Sequence, residues 1–255
     1  IWPAQNEIDL PLELLTQLKI LSRQAPALAE GEIYFNDQIN AQTNNNMKLG
    51  VRGNPNFGLV RNLMVGVKNN TSGSLTPRAI KGEVWFNELR LSEMDNSGGM
   101  AALVNIDANF ADFATISATG KMSTIGFGTL EQGPNERSRE DMQQYNIVTN
   151  LSLGKLMPKK WHINLPFNYA IGEETITPEY DPFNQDIKLD QILDVTASAA
   201  ERATIKDRAI DYTKRKSINF IGVKKERAPE QKPHIYDPEN LTLSYSFNQV
   251  ERHNF

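Results

Sequence analysis

The histidines and carboxylates are the first residues to consider for catalysis or metal binding. His162, His234 and His253 lie far apart in the sequence and form no HxxxH or HExxH motif. Glu83 and Glu88 flank the centre of a predicted strand. Two carboxylates converging in a cleft are the arrangement of a glycoside hydrolase, but a solvated or salt-bridged face is the simpler interpretation. The chain has no cysteine, which excludes thiol catalysis, disulfides and cysteine-type zinc sites. The sequence therefore predicts no enzyme, no metal site and no cofactor.

Two loop motifs contain residue types that bind phosphate or calcium in other proteins. The run IGFGTLEQG (125–133) is glycine-rich, but no Lys-Ser/Thr pair and no strand-to-helix context follow it, so phosphate binding is not predicted. Asn36, Asp37 and the asparagines at 44–46 offer oxygen ligands for Ca²⁺, but their spacing matches no EF-hand and a plain loop is the simpler interpretation. The basic run Lys214–Lys216 precedes a predicted strand, and we expect a solvated loop end there or a position near lipid headgroups.

Five segments in the second half alternate between apolar and polar residues, as strands with two different faces do. They are Ala102–Phe110, Ala114–Gly120, Tyr145–Leu153, Trp161–Ile171 and Leu241–Gln249. At the overall charged fraction of 23%, about ten charged residues would be expected in them, but they contain one, Asp107. The polar positions are otherwise mainly Asn, Ser, Thr and Gly, which hold water without carrying charge. This pattern favours strands of a transmembrane β-barrel with a hydrated interior over a soluble sheet.

The longest of these segments, Trp161–Ile171, has 11 residues. At ~3.3 Å per residue it is about 36 Å long, and a tilt of ~45° would make it span about 25 Å, the height of an outer-membrane apolar band. Trp161 and Tyr169 near its ends fit interfacial aromatic positions, and Pro166 predicts a bulge or imperfect pairing.

The alternation assigns side chains to two environments. The predicted lumen-facing residues are Asn105, Asp107, Asn109, Asn146, Asn150, His162, Asn164, Asn168, Ser244 and Ser246. The predicted lipid-facing residues are Ile147, Leu151, Trp161, Ile163, Leu165, Phe167, Tyr169, Leu243, Tyr245 and Phe247.

A mainly all-β protein with two domains, 1–98 and 99–255, is predicted from these patterns. In the first domain, leucines at helical spacing between Asp9 and Pro26 predict a short helix. Val60–Val67 and Glu83–Leu91 predict strands of a β-sandwich of the jelly-roll type, and a flexible, glycine-containing junction follows them.

The second domain is predicted to consist of antiparallel transmembrane strands joined by long loops. A sixth, weaker strand is expected at Ser217–Val223, and a helical insertion at Leu189–Asp194 and Ser198–Asp211. Six strands are too few to close a barrel, so the chain is expected to be a fragment whose remaining strands lie outside it. The net charge of −4 offers no basic patch for nucleic acid, and no apolar run is long enough for a transmembrane helix.

Five sequence runs resemble one protein family. They are IWPAQNEIDLPLELLTQLK (1–19), GEVWFNELRLSEMDNSGG (82–99), DFATISATGKMSTIGFGTLEQ (112–132), DPFNQDIKLDQIL (181–193) and DYTKRKSINFIGVKKER (211–227). The family they resemble is SprA/Sov, the outer-membrane translocon of the type IX secretion system of Bacteroidota.

The resemblance implies an exceptionally large single-chain β-barrel in the bacterial outer membrane, with loops exposed at the cell surface. Its implied function is a protein-conducting channel that passes folded cargo, including gliding adhesins, to the surface. The implied partners are cargo with type IX C-terminal signal domains, a PorV-like outer-membrane shuttle protein, a periplasmic plug protein and the lipid bilayer. The resemblance implies no catalytic residue.

Two other function classes remain open from the residues. A soluble or surface carbohydrate-binding protein would use the jelly-roll-like region 27–92, and an all-β glycoside hydrolase would need two converging carboxylates.

Overall fold

Helix α1, Leu12–Gln24, organises the first part of the chain. Its leucines at positions 14 and 18 are one turn apart and both buried, because residues four apart share a helix face. They pack in one apolar cluster with Ile39, Leu49 and Val51. The predicted helix is therefore confirmed, although its N-cap is Pro11 and no side chain caps it.

A computed structural model describes residues 7–26, 31–43, 47–69, 79, 81–228 and 232–254 of the chain. It divides into two compact units, Ile1–Asn96 and Ser97–Phe255. No helix in the described ranges is long and apolar enough to cross a membrane.

Among its described residues, the first unit contains little regular structure besides α1. Strand β1, Tyr34–Phe35, pairs antiparallel with β2, Gly50–Val51, and the short helix α2, Asp37–Asn40, lies between them in the chain. The Asn36 side chain caps α2 by accepting from the backbone N–H groups of positions 38 and 39, at 3.0 and 3.1 Å.

The predicted β-sandwich does not form in the described residues. Val60–Val67 and Glu83–Leu91 have no strand structure, and their apolar side chains are exposed, with 74% of Trp85 accessible. Alternation marks two potential faces, but a strand exists only where a second strand completes its hydrogen-bond ladder. These segments have no such partner here, so the sandwich prediction for this region is wrong.

The second unit is built on one antiparallel meander. Its elements in chain order are β3 (Ala101–Phe110), β4 (Ala114–Ser123), β5 (Glu140–Ser152), β6 (Ile163–Asn164), β7 (Pro166–Pro178), β8 (Tyr180–Asp181), β9 (Asn184–Lys188), α3 (Leu189–Val195), α4 (Ala199–Ala209), β10 (Asp211–Lys225) and β11 (Leu243–His253). The main sheet has the order β11-β10-β7-β5-β4-β3, and the short β6 pairs with β10. The sheet is open in the described residues, with β3 and β11 at its edges.

Two strand predictions need correction. The segment Trp161–Ile171 is not one strand, because a 3₁₀ turn ends at Trp161 and His162 adopts a positive φ of 49°. The strand then restarts at Ile163 and again at Pro166, which has no N–H for the ladder and therefore takes the first position of β7. The run Lys214–Lys216 is not a loop end, because it lies inside β10.

The connections of the meander fall at two ends of the sheet. We call one the turn end, which carries the connections 111–113, 153–165 and 226–242. The other is the loop end, which carries the connections 124–139 and 179–210.

The longest connection folds into a small substructure of its own. The hairpin β8–β9 and helices α3 and α4 bury Ile187, Leu189 and Ala209. Asp181, with no exposed surface, accepts from the Asn184 amide at 2.5 Å. Both predicted helices of this insertion are confirmed.

Candidate functional site

A row of uncharged polar side chains crosses the whole sheet on one face. Residues paired across antiparallel strands point to the same side of the sheet, so the register assigns faces directly. One row contains a polar residue from each of the six long strands, in the order Asn109, Thr115, Asn150, Asn168, Asn219 and Ser246. We call the face that carries this row the polar face.

Five members of this row form a continuous chain of side-chain hydrogen bonds, which we call the amide ladder: Ser246, Asn219, Asn168, Asn150 and Thr115. The Ser246 hydroxyl donates to Asn219 Oδ1, and Asn219 Nδ2 donates to Asn168 Oδ1 at 3.0 Å. Asn168 Nδ2 donates to Asn150 Oδ1 at 2.7 Å, and Asn150 Nδ2 donates to Thr115 Oγ1 at 3.3 Å. Every step donates in the same direction across the sheet. Each amide keeps donor and acceptor capacity that water can satisfy.

The polar face continues on both sides of the amide ladder. The next rows include Asp107, which accepts from Ser117, and Asn248, whose amide donates to Ser246 at 3.3 Å. The face is not uniformly polar, since Val148 and Ala170 also lie on it. Small and amide side chains nevertheless dominate its centre.

Most of the predicted lumen-facing residues lie together on this polar face. The register places seven there directly: Asn105, Asp107, Asn109, Asn146, Asn150, Asn168 and Ser246. Asn164 on β6 pairs with Lys224, and Ser244 accepts from the Gly222 N–H at 3.1 Å. Ser244 shares the face of Ser246, two residues away on β11. A bulge at Gly222, with φ 79°, shifts β10 by one residue and thereby places Lys224 and its partner Asn164 on the same face. His162 does not belong to the set, because it ends the 3₁₀ turn outside the strands.

The opposite face of the sheet is apolar. It carries Ile147, Leu151, Phe167, Tyr169, Leu243, Tyr245 and Phe247 of the predicted lipid-facing set. Phe167 packs against Phe220 across β7 and β10, with ring centroids 5.0 Å apart. Ile163 lies on β6, but Leu165 falls in the gap before β7 and Trp161 lies in the 3₁₀ turn. Several of these side chains, including those of Leu243 and Tyr245, are exposed on this apolar face.

The apolar region ends obliquely across the strands towards the loop end. Its last apolar residue on β4, Met122, pairs with the polar Gln143 on β5. On β5 the last apolar residue is Tyr145, which pairs with the charged Glu173 on β7. On β7 the last apolar residue is Ile171, which pairs with the charged Lys216 on β10. From β4 to β5, from β5 to β7 and from β7 to β10, the last apolar residue therefore lies two residues further from the loop end each time. Between β3 and β4 and between β10 and β11 the last apolar residues are paired directly, as Ala102–Met122 and Ile218–Phe247.

The angle of this boundary follows from strand geometry. Across the six long strands, the boundary shifts by three times two residues, which is about 20 Å along the strand direction. The same six strands are separated by five spacings, which is about 24 Å across the sheet. The apolar boundary is therefore inclined by about 40° to the perpendicular of the strands. Sequence reasoning missed this feature, because it depends on the pairing register rather than on any one segment.

Charged residues stand beyond the boundary on the same face. Lys214 Nζ and Glu173 Oε1 form an ion pair of 2.9 Å next to Tyr145. Their pairing neutralises both charges at the edge of the apolar region.

At the turn end, the connection between β10 and β11 is braced by two ion pairs. Lys225 contacts the Glu239 carboxylate at 2.9 Å, and Arg227 contacts Asp237 at 3.2 Å. The Glu239 side chain is only 3% exposed. The hydrogen bond from Lys225 is the main cause that lowers the pKa of the Glu239 carboxyl from its ordinary value of 4.5.

The remaining candidate residues have structural positions. Gly126 has φ 82° and stands where an added Cβ would lie 2.6 Å from the Ser97 carbonyl oxygen, so glycine serves close backbone packing. Glu83 and Glu88 lie in the exposed stretch without strands, Asn36 caps α2, and 44–46 fall outside the described residues. Within the described ranges, no group of three or more His, Asp or Glu side chains could hold a metal ion.

Comparison with known families identifies the chain. A family model named SprA_N, described as a motility related/secretion protein, matches residues 1–193. The chain belongs to the SprA_N family. Four of the five runs that suggested the resemblance lie inside the matched region of this SprA_N chain, and the fifth, 211–227, follows it. No curated protein matches the chain.

The SprA_N match covers only part of the polar face. Thr115, Asn150 and Asn168 of the amide ladder lie inside the matched residues, whereas Asn219 and Ser246 lie beyond them. The family associates this SprA_N chain with secretion and motility.

Proposed function

We propose that this SprA_N chain forms part of the wall of a protein-conducting channel in the bacterial outer membrane. In this proposal the polar face lines a water-filled lumen and the apolar face contacts lipid. The observation that carries the proposal is the division of one sheet into a polar face, crossed by the uncharged amide ladder, and an exposed apolar face. Further strands outside this sheet would complete the barrel.

The amide ladder suits a surface past which folded proteins move. Asn, Ser and Thr side chains hold water but carry no net charge, so they do not bind cargo of either sign tightly. Within the ladder the side chains are tied to each other, which keeps them close to the wall. A charged wall would instead retain cargo of opposite charge.

The inclined apolar boundary supports the lipid-facing assignment. Strands of outer-membrane barrels tilt by roughly 35–45°, and the boundary on this sheet is inclined by about 40°. The apolar stretch of β6 and β7, from Ile163 to Ile171, is about 26 Å long and would span about 20 Å of membrane at that tilt. This height is near the ~25 Å of an outer-membrane apolar band.

The two ends of the sheet suggest its orientation. Outer-membrane barrels keep short turns in the periplasm and long loops outside the cell. The three-residue turn 111–113 therefore favours a periplasmic turn end, and the 179–210 connection favours an extracellular loop end.

Family membership extends the proposal to the type IX secretion system. We infer folded cargo with type IX C-terminal signal domains, including gliding adhesins, as the transported material. A PorV-like shuttle and a periplasmic plug protein are the inferred partners. The channel would need no catalytic residue and no cofactor.

Cysteine labelling in native outer membranes tests the two faces. The chain has no cysteine of its own, so single substitutions start from a clean background. Asn150→Cys and Asn168→Cys should react with a charged, membrane-impermeant thiol reagent, whereas Leu151→Cys and Phe167→Cys should react poorly. Lys206→Cys in the exposed helix α4 controls for reagent access. Equal labelling of both faces would contradict the membrane assignment, and labelling of the apolar face alone would contradict the hydrated lumen.

A further inference from the structure

The connection 153–165 is a short basic segment at the turn end. Its only charged side chains are Lys155, Lys159 and Lys160, and all three are positive. Lys155 is paired with Asp112 of the neighbouring turn, at 3.1 Å. Lys159 and Lys160 are exposed and have no carboxylate partner among the described residues.

An exposed tryptophan follows the two exposed lysines directly. Trp161 ends the 3₁₀ turn and is 54% exposed, and Leu156 in the same connection is 71% exposed. The backbone is held in place, since the Leu153 N–H donates to the Leu165 carbonyl at 2.9 Å. The Glu226 N–H also donates to the His162 carbonyl, at 2.5 Å. The segment therefore presents lysines and an indole ring from a fixed support.

The location of this segment selects its partner. Trp161 stands two residues before Ile163, where the apolar face of β6 and β7 begins. An aromatic ring with adjacent lysines, at the end of an apolar surface, matches the boundary between acyl chains and headgroups. Two exposed ammonium groups at that level complement anionic headgroups.

We propose that Lys159, Lys160 and Trp161 bind the headgroups of anionic phospholipids in the leaflet at the turn end. This inference rests on the proposed function, because it needs the apolar face to lie in a bilayer. The lysines contact the phosphate groups, and the indole ring sits between the headgroups and the acyl chains.

The test uses the intact protein in nanodiscs made from phosphatidylglycerol and phosphatidylcholine. Brominated forms of each lipid quench nearby tryptophan, and subtracting the signal of Trp161→Phe isolates this residue. The relative affinity for phosphatidylglycerol over phosphatidylcholine should fall about 30-fold in Lys159→Gln/Lys160→Gln. The matched variant Arg202→Gln/Lys206→Gln, on the exposed surface of α4, should leave this relative affinity unchanged.

Three results would overturn the inference, and they separate it from the proposed function. If brominated lipid quenches Trp161 but the relative affinity for phosphatidylglycerol is the same in Lys159→Gln/Lys160→Gln, headgroup recognition by the lysines is refuted. The membrane assignment would remain intact. Absence of quenching at Trp161 in a correctly inserted protein would place the segment away from the bilayer. A protein that does not insert into nanodiscs at all would refute both proposals.

Discussion

Arginine substitutions at Phe167 and Asn168 test the two faces of the sheet with adjacent residues on one strand. Phe167 lies in the middle of the apolar stretch Ile163–Ile171, and its ring packs against Phe220 at 5.0 Å. Asn168 points to the opposite face and makes two bonds of the amide ladder. Since neighbouring strand residues face opposite sides, the two variants differ in environment but hardly in position.

The expected magnitudes differ clearly. An arginine on the lipid face at the membrane midplane costs about 2–4 kcal/mol, so Phe167→Arg should lower the free energy of unfolding by at least that amount. Asn168→Arg loses two hydrogen bonds, but water replaces them in a hydrated lumen, so a cost of about 1 kcal/mol is expected. Phe167→Leu keeps an apolar side chain and measures the loss of the ring alone.

Urea unfolding in lipid vesicles measures these differences as shifts of the midpoint. A difference of about 1–3 kcal/mol between the arginine variants corresponds to a factor of about 5–150 in the folded-to-unfolded ratio. Equal destabilisation by the two arginines would refute the assignment of one face to lipid. A larger loss for Asn168→Arg than for Phe167→Arg would show that the amide ladder is packed against protein rather than water.

Three further predictions concern local stability. Asn219→Ala removes the ladder's hydrogen bonds to Ser246 and Asn168 and should cost about 1–2 kcal/mol, with faster amide exchange in β10. Asn105→Ala, outside the ladder, should change little, and equal effects of the two variants would show that the ladder does not stabilise the sheet. The pKa of the Glu239 carboxyl is lowered in the folded state, so the ionised carboxylate stabilises the fold. Its contribution to the free energy of unfolding is fully present above the unfolded pKa and is lost as the pH falls through the lowered folded pKa. Amide protection factors in the β10–β11 connection, corrected for the intrinsic pH dependence of exchange, should therefore fall as the Glu239 carboxylate is protonated. Glu239→Gln should abolish this dependence, which would persist if another group were responsible. Gly126→Ala should destabilise the 124–139 connection by about 1–3 kcal/mol, because the φ of Gly126 is 82° and the added Cβ would lie close to the Ser97 carbonyl oxygen. Gly133→Ala, where the added Cβ meets free space, should be tolerated. Equal thermal stability of the two variants would contradict this prediction.

The alternation of side chains determined much of the second unit from sequence alone. Period-two patterns locate most long strands and separate their polar and apolar faces, because successive strand residues point in opposite directions. Helical propensity likewise locates α3 and α4 within the longest connection. These are local properties, so a single segment carries enough information to predict them.

Pairing decided the rest. The amide ladder and the inclined apolar boundary exist only because the register aligns particular residues of six strands, such as Asn150 with Asn168 and Ile171 with Lys216. The same dependence explains the two main errors. Val60–Val67 alternates like a strand but finds no partner in the described residues, and Trp161–Ile171 breaks where His162 takes a positive φ and Pro166 lacks an N–H. A strand forms only when two segments share hydrogen bonds, and the sequence of a single segment specifies only its β-propensity.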